Sequence, residues 1–279
     1  MSKSLFVFFS GTAGAGKNTV IDALIKKNED QYVFLNSHTS RPRRSDDPKC
    51  GRYHYVSKEE FEQLIDEGKI LEYDQFNDNY YGISKEEIFN LSKLDKVVLK
   101  DLSVKGVLNC NEIFKDSLKI KSVFLTNTKK VLKERLINRN YSPKEIKNRL
   151  KLYKSEQAKT KFYDYVIFNN DLELTINQCE AIINTAINNL SIGLATSTQN
   201  INSTKIDKFA TKLNKNKTLK NISVCCYENQ LYIVDGANEY LAHVKSKKQV
   251  VLMFVNTPKN FVPNKETQTE WQKLIKAYS

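Results

Sequence analysis

The sequence predicts an α/β fold: a mostly parallel sheet with helices on both faces, followed by a small α+β domain at the C-terminal end. Three observations predict it. Over the first 190 residues, short apolar runs alternate with helical stretches, the order expected of strands joined by crossover helices. A glycine-rich turn, Gly11-Thr12-Ala13-Gly14-Ala15-Gly16-Lys17-Asn18-Thr19, separates the first apolar run from the first helical stretch. Beyond residue 203 the order becomes strand, strand, helix, strand, which suits a separate compact unit of about 80 residues.

Leu5-Phe6-Val7-Phe8-Phe9 reads as a buried strand, and Val20 to Lys27 as the helix after it. Glycines between them let the backbone curl so that several N–H groups converge on one anion, and the helix N-terminus adds partial positive charge. Lys17 places a mobile point charge where the terminal phosphates of a nucleotide would lie. The strict phosphate-loop pattern has Ser or Thr directly after the lysine. Here Asn18 stands there, and Thr19 carries the hydroxyl one position late.

Tyr32-Val33-Phe34-Leu35 reads as a second strand, running into the basic segment Ser37-His38-Thr39-Ser40-Arg41-Pro42-Arg43-Arg44. Tyr53 to Val56, a helix over 58–67 and Ile70 to Phe76 follow, and Asn77-Asp78-Asn79 turns the chain before Tyr80-Tyr81-Gly82. This mixed α/β insert, 37–95, ends before the buried strand Val97-Val98-Leu99. Ser122 to Leu125 is the next strand, and Thr128 is placed to cap the helix after it. Residues 129–161 are helical in period, interrupted at Asn140-Tyr141-Ser142-Pro143, and 128–160 reads as a lid. Tyr165 to Phe168 is the last strand of this part. Leu174 to Leu190 is amphipathic, with Ile176, Ala181, Ile182, Ile183, Ile187 and Leu190 on its buried side. Ligands of such sheets sit beyond the carboxyl ends of the strands, the end that carries the glycine loop.

Composition narrows the function classes. At 279 residues there is room for two domains. No run approaches the ~18 apolar residues that cross a bilayer, and Met1-Ser2-Lys3-Ser4 offers no cleavable signal, so no membrane partner is expected. Five cysteines without a C-x-x-C pair fit reduced cytoplasmic thiols, with Cys225-Cys226 as core packing. His38, His54 and His243 show no metal spacing. The net charge of +12 raises the question of nucleic acid, but its distribution argues against that partner. All seven arginines, Arg41, Arg43, Arg44, Arg52, Arg135, Arg139 and Arg149, fall in the first 190 residues in two clusters, whereas residues 191–279 hold thirteen lysines and six acids. Arginine's planar fork suits bidentate phosphate contacts, so two phosphate-handling segments of a small-molecule enzyme are the better reading. Glu72 lies among apolar neighbours, where an unpaired carboxylate is costly, so it calls for a ligand or a buried partner.

In the tail, Ser191 to Ser203 reads as a linker and 204–279 as the accessory domain. Its strands are Ile222-Ser223-Val224, Leu231 to Val234 and Val250 to Val255, and Asp235-Gly236 leads into a helix through His243. A final helix, Thr267 to Tyr278 with Trp271, can pack on either domain. The pattern leaves the oligomeric state open, a homodimer included.

Taken together, Thr39-Ser40-Arg41-x-x-Arg44-x-x-Asp47-x-x-Cys50-x-x-Tyr53-x-Tyr55-Val56, then Leu71-Glu72-Tyr73, Asn79-Tyr80-Tyr81-Gly82 and the helical pair Arg135 and Arg139 with Arg149, resemble the guanylate kinase family over about 190 residues. The resemblance implies a P-loop NTPase-type fold with a GMP-binding insert and a helical lid. It implies transfer of the γ-phosphoryl group of ATP to GMP, and to dGMP, with Mg²⁺ carried by ATP phosphates and water rather than by a protein ligand. Gly11, Thr12, Ala13, Gly14, Ala15, Gly16, Lys17, Asn18 and Thr19 would hold ATP, with Asn169 at the adenine edge. Ser37 and Glu72 would read guanine. Arg41, Arg44, Tyr53 and Tyr81 would clamp the GMP phosphate. Asp101 matches the first acid of the family's D-x-D run, Ser103 replaces the second, and Ile83 stands where a serine is usual, followed by Ser84 as the remaining guanine contact. Losing one such polar contact costs about 1 kcal/mol. Lys17, Arg135, Arg139 and Arg149 would stabilise the transferring group. The rival reading is a guanylate-kinase-like binding scaffold without activity. The C-terminal part is faintly similar to the ParB/sulfiredoxin-like fold, with Glu239 in place of that fold's arginine.

Overall fold

Every residue of strand β1 (Leu5–Gly11) is buried, because five consecutive apolar residues leave neither face fit for water. A computed structural model describes residues 3–43, 52–76 and 78–279; Arg44, Asp47 and Cys50 lie outside the described residues. After β1 come α1 (Lys17–Lys27), β2 (Tyr32–Phe34), β3 (Ser37–Thr39), β4 (Tyr53–Tyr55), α2 (Lys58–Asp66), β5 (Ile70–Phe76), β6 (Asn79–Ser84), α3 (Lys85–Ser92), β7 (Val97–Asp101), α4 (Val104–Phe114), β8 (Lys119–Thr126), α5 (Lys129–Asn138) and α6 (Pro143–Lys151). The chain continues through α7 (Tyr153–Gln157), β9 (Tyr165–Phe168), α8 (Leu172–Ile187), β10 (Gly193–Leu194), α9 (Ser203–Asn214), β11 (Ile222–Tyr227), β12 (Gln230–Asp235), α10 (Ala237–Ser246), β13 (Leu252–Phe254) and α11 (Lys265–Tyr278). Among the described residues no helix is long and apolar enough to cross a membrane.

Two compact units result: Met1–Leu125 with Lys129–Glu156, and Thr126–Thr128 with Gln157–Ser279. In the first, β8, β1, β7 and β2 lie side by side, all parallel. Phe6, Phe8, Phe9, Ile21, Leu24 and Phe124 are fully buried there, each worth roughly 1.5–3 kcal/mol of burial. The insert forms its own sheet in the order β4, β3, β6, β5. Its helix α2 starts with a capping box: Glu60 N donates to Ser57 Oγ, and Ser57 N donates to the Glu60 carboxylate. The helical stretch 129–161 breaks where the sequence does. Asn140 takes a φ of 57°, and Pro143 opens α6 behind a second capping box between Ser142 and Glu145.

The second unit carries β10, β12, β11, β13 and β9 in that order. Only β11 and β12 run antiparallel, joined by a two-residue turn with both Glu228 and Asn229 at positive φ, as a tight hairpin requires. Strand β9 pairs in parallel with β13, Leu252 opposite Tyr165. The stretch 191–203, read above as a linker, is partly a pinned strand. Gly193 and Leu194 pair with Tyr232 and Ile233. Leu194 exchanges two hydrogen bonds with the Gln268 side chain, at 2.9 and 2.7 Å. Trp271 Nε1 donates to Ile192 O at 2.8 Å, and a Cβ at Gly193 would collide with the Tyr232 ring at 2.4 Å. Trp271 is fully buried, so α11 packs within this unit.

Candidate active site

The glycine loop is shaped by collisions that only glycine avoids. A Cβ at Gly11, whose φ is 144°, would lie 1.9 Å from Leu125 O; Gly14, with φ 83°, turns towards Leu132 and Leu136 of α5. Gly16 caps α1 at φ 89° and offers no side chain to its first amides, which keeps them available to an anion. Ala15 N donates to Thr12 O at 3.0 Å, closing the turn. Lys17 Nζ curls back to donate to Gly11 O at 3.1 Å. Burial pushes the Lys17 ammonium down; the carboxylates of Asp101 and Glu156 act against this, and Arg139 and Arg149 act with it. Asn18 and Thr19 are exposed at the start of α1.

The insert assembles the second half. Thr39 is opposite Tyr81 across β3 and β6, and Ser37 is opposite Tyr53 across β3 and β4. Thr39 Oγ1 donates to Tyr80 O at 2.8 Å and accepts from Arg41 N at 3.2 Å, which fixes the turn that buries Arg41. The Arg41 guanidinium carbon stands 5.2 Å from the Tyr53 ring centre and 5.6 Å from that of Tyr55. Tyr53 and Tyr81 meet edge to face at 6.2 Å. Burial first, then the Asp101 charge, pushes the Tyr53 phenol up to about 12, so it is a hydrogen-bond donor at neutral pH. The negative charge of Asp101 thus favours the Lys17 ammonium and the neutral Tyr53 phenol.

Glu72 is buried, and its Oε1 has no hydrogen-bond partner among the described residues. Its carboxylate lies against the first turn of α4, where a Cβ at Gly106 would come 3.2 Å from Oε1 and 3.3 Å from Oε2. Burial and the neighbouring Asp74 raise its pKa, while Lys105 and Lys100 oppose that rise. Ser37 is buried in β3. Ser84 is also buried, and its Oγ accepts from Glu87 N at 3.2 Å, so one of its lone pairs caps α3. Ser103 does the same for α4, accepting from Gly106 N at 3.0 Å. Ile83 is fully enclosed.

Arg135 on α5, Arg139 just beyond it and Arg149 on α6 form the third part. Arg139 and Arg149 both act on Lys17, and Arg135 is lowered by burial and then by Arg139. Cations so placed repel one another until an anion comes among them. Asn169 sits in the second unit, locked into a network there. Its N donates to Thr126 O at 3.0 Å, its O accepts from Asn127 Nδ2 at 2.8 Å, and its Oδ1 accepts from Thr175 Oγ1 at 3.0 Å.

Three residues near the site were not singled out from sequence. Glu156 acts on Lys17. Arg52 pairs with Asp22 and stands 4.6 Å from the Phe34 ring centre. Lys100 is buried in β7, its Nζ also 4.6 Å from Phe34. Two of them left a signal: Arg52 as a member of the first arginine cluster, and Lys100 as a lysine ending the apolar run Val97-Val98-Leu99.

The family model described as Guanylate kinase matches residues 3–186. The guanylate kinase of Clostridioides difficile (strain 630) is 31% identical over 192 residues, 68% of this chain and 92% of its own length. That of Helicobacter hepaticus (strain ATCC 51449 / 3B1) is 37% identical over 174 residues, 62% and 86% of the two chains. The crystal structure of guanylate kinase from Anaplasma phagocytophilum shares the fold, with a TM-score of 0.53 at 24% identity over 66% of this chain and 86% of that one. Glycine loop, insert and lid all fall inside the matched residues, and on these grounds the chain belongs to the guanylate kinase family.

Proposed function

We propose that the protein is an ATP:GMP phosphotransferase, giving ADP and GDP, with dGMP as a second acceptor. The observation that carries this reading is the glycine loop with Lys17 folded onto it, in the same compact unit as the pocket of Arg41, Tyr53 and Tyr81. Phosphoryl transfer asks a protein to align and neutralise two anions rather than to supply a nucleophile. Lys17 and the loop amides would hold the donor phosphates. Arg41, Arg44, Tyr53 and Tyr81 would hold the acceptor phosphate, and Ser37, Glu72 and Ser84 its base. Arg135, Arg139 and Arg149 would neutralise the equatorial oxygens as the lid closes and keeps water out.

Mg²⁺ would enter on the ATP phosphates, keep most of its water, and lend charge to the transferring group. Asn18, exposed beside Lys17, suits that arrangement, since an amide can bond to the ion's water shell. Asn169 would border the adenine. Residues 204–279 would serve as an accessory segment, with a homodimer as one use. The four described free thiols fit a reducing cytoplasm.

A coupled assay with GMP, dGMP, AMP and UMP tests the reading. GDP formation with GMP well ahead of AMP and UMP is expected. Binding of both nucleotides without turnover would favour a scaffold, and no binding of either would overturn the reading.

A further inference from the structure

Arg52 holds together three pieces of chain that lie apart in sequence. It stands immediately before β4, with its side chain only 13% exposed, and its partner Asp22 on α1 is 64% exposed. Its main chain belongs to the insert: Arg52 O accepts from Ser37 N at 3.0 Å, beside the Ser37–Tyr53 pair of the β3–β4 ladder. Its side chain reaches out of the insert. Arg52 Nη2 donates to the Asp22 carboxylate of α1, and the guanidinium carbon stands 4.6 Å from the ring centre of Phe34 in β2. A planar guanidinium can pair with a carboxylate and stack on a ring at once, which an ammonium cannot. Phe34 carries a second cation, Lys100 Nζ, also 4.6 Å from its centre. Two cations on one ring repel, and Asp22 neutralises one of them.

The far end of this link is the helix that opens at Lys17. Asp22 follows Lys17 by five residues on α1, about 7.5 Å along the axis, so one stiff turn and a half joins the carboxylate to the glycine loop. The near end is Tyr53, the residue after Arg52, which meets the Arg41 guanidinium carbon at 5.2 Å and the Tyr81 ring at 6.2 Å. We propose that Arg52 is a positioning residue for phosphoryl transfer: the link from Asp22 through Arg52 to Phe34 is a strut that sets the acceptor pocket at a fixed place relative to the glycine loop. This rests on the reading of the protein as an ATP:GMP phosphotransferase. The insert needs such a strut, because among the described residues its four strands pair only with one another. In-line transfer tolerates little error in the separation of donor and acceptor. Arg41, Tyr53 and Tyr81 all ride on the insert, so losing the strut leaves the pocket whole and displaces it as a body. The consequence falls on the rate of transfer and not on the affinity for either nucleotide.

The test compares wild type, Asp22→Asn, Asp22→Glu, Arg52→Gln and the double variant Asp22→Asn/Arg52→Gln. It reads the single-turnover rate of GDP formation and, by calorimetry, the affinity and stoichiometry for GMP and for ATP separately. Asp22 is exposed, so melting temperatures of its variants should agree with wild type within about 3 °C. Asp22→Asn is expected to slow transfer at least threefold, with both affinities within twofold of wild type and full stoichiometry. Asp22→Glu, which keeps the carboxylate, should transfer within twofold of the wild-type rate. The double variant should be no slower than Arg52→Gln, since the pair is then already broken. Should Arg52→Gln not fold, the contrast of Asp22→Asn with Asp22→Glu decides alone. Equal rates for wild type and Asp22→Asn, losses that multiply in the double variant, or a GMP affinity that falls in step with the rate would each overturn the proposal. A wild type that forms no GDP overturns the functional reading first, and this one with it, whereas an active wild type beside an unchanged Asp22→Asn overturns the strut alone.

Discussion

Gly106 and Glu72 are matched: the space where an alanine methyl would stand at 106 is within 3.2 Å of the Glu72 carboxylate. Alanine is the better helix former by roughly 1 kcal/mol, so Gly106→Ala in α4 should not lower the melting temperature. It should push the carboxylate aside and raise KM for GMP several-fold, with little change in KM for ATP. Equal KM values for GMP in the two proteins would show that this packing does not position the base contact.

Lys100→Met should stabilise the fold. Lys100 is lowered from 10.5 to about 8, so below pH 8 the folded state keeps an ammonium it would rather lose. Relief of that burden is on the order of 3 kcal/mol. The gain should be full below pH 8 and fade as pH rises towards 10.5, because the unfolded lysine then loses its proton as well. Urea midpoints at pH 7 and pH 9.5 measure this, and a variant less stable than wild type at pH 7 would contradict it.

Gly11→Ala should abolish the folded loop. A Cβ 1.9 Å from Leu125 O cannot be absorbed by a side-chain rotation, because the obstacle is backbone. A loss of about 3 kcal/mol or more is expected, read as low soluble yield and a lowered denaturation midpoint. Wild-type stability in this variant would mean that the β1–β8 contact is looser than described.

Trp271→Ala removes the largest fully buried side chain and leaves Ile192 O without its donor. The expected cost is about 3–5 kcal/mol, and Trp271→Phe, which keeps most of the volume, should lose less. Matched midpoints for all three proteins would refute a structural role for α11.

Asn18→Ser restores the hydroxyl of the usual loop pattern. Its activity should saturate at lower Mg²⁺ than that of the natural protein. Superimposed Mg²⁺ titrations would discard a metal-related role for position 18.

What could be read from the sequence was what one local rule decides. Alternating apolar runs gave the parallel strands, and the spaced glycines before Lys17 gave the loop. Ser142-Pro143 marked the break between α5 and α6. What escaped depends on partners distant in the chain. Ser84 and Ser103 are spent partly as helix caps, a use that competes with ligand binding and that composition does not reveal. Asn169 is held by Asn127 and Thr175, neither of which its own neighbourhood announces. The polar stretch 191–203 resembles a linker because two residues of strand, gripped by Gln268 and Trp271, are too few to set a period. Arg44 lies outside the described residues, so its part in the pocket rests on spacing alone.

The pairing of Tyr165 and Val166 with Leu252 and Met253 has a consequence for self-association. A rim strand normally exposes a ladder of amides and carbonyls that invites a foreign chain. This protein covers that rim with its own later segment, and the extended sheet then stops at a strand of two residues, too brief to template another. Copies of this chain that meet on that side must do so through side chains rather than by adding strand to strand.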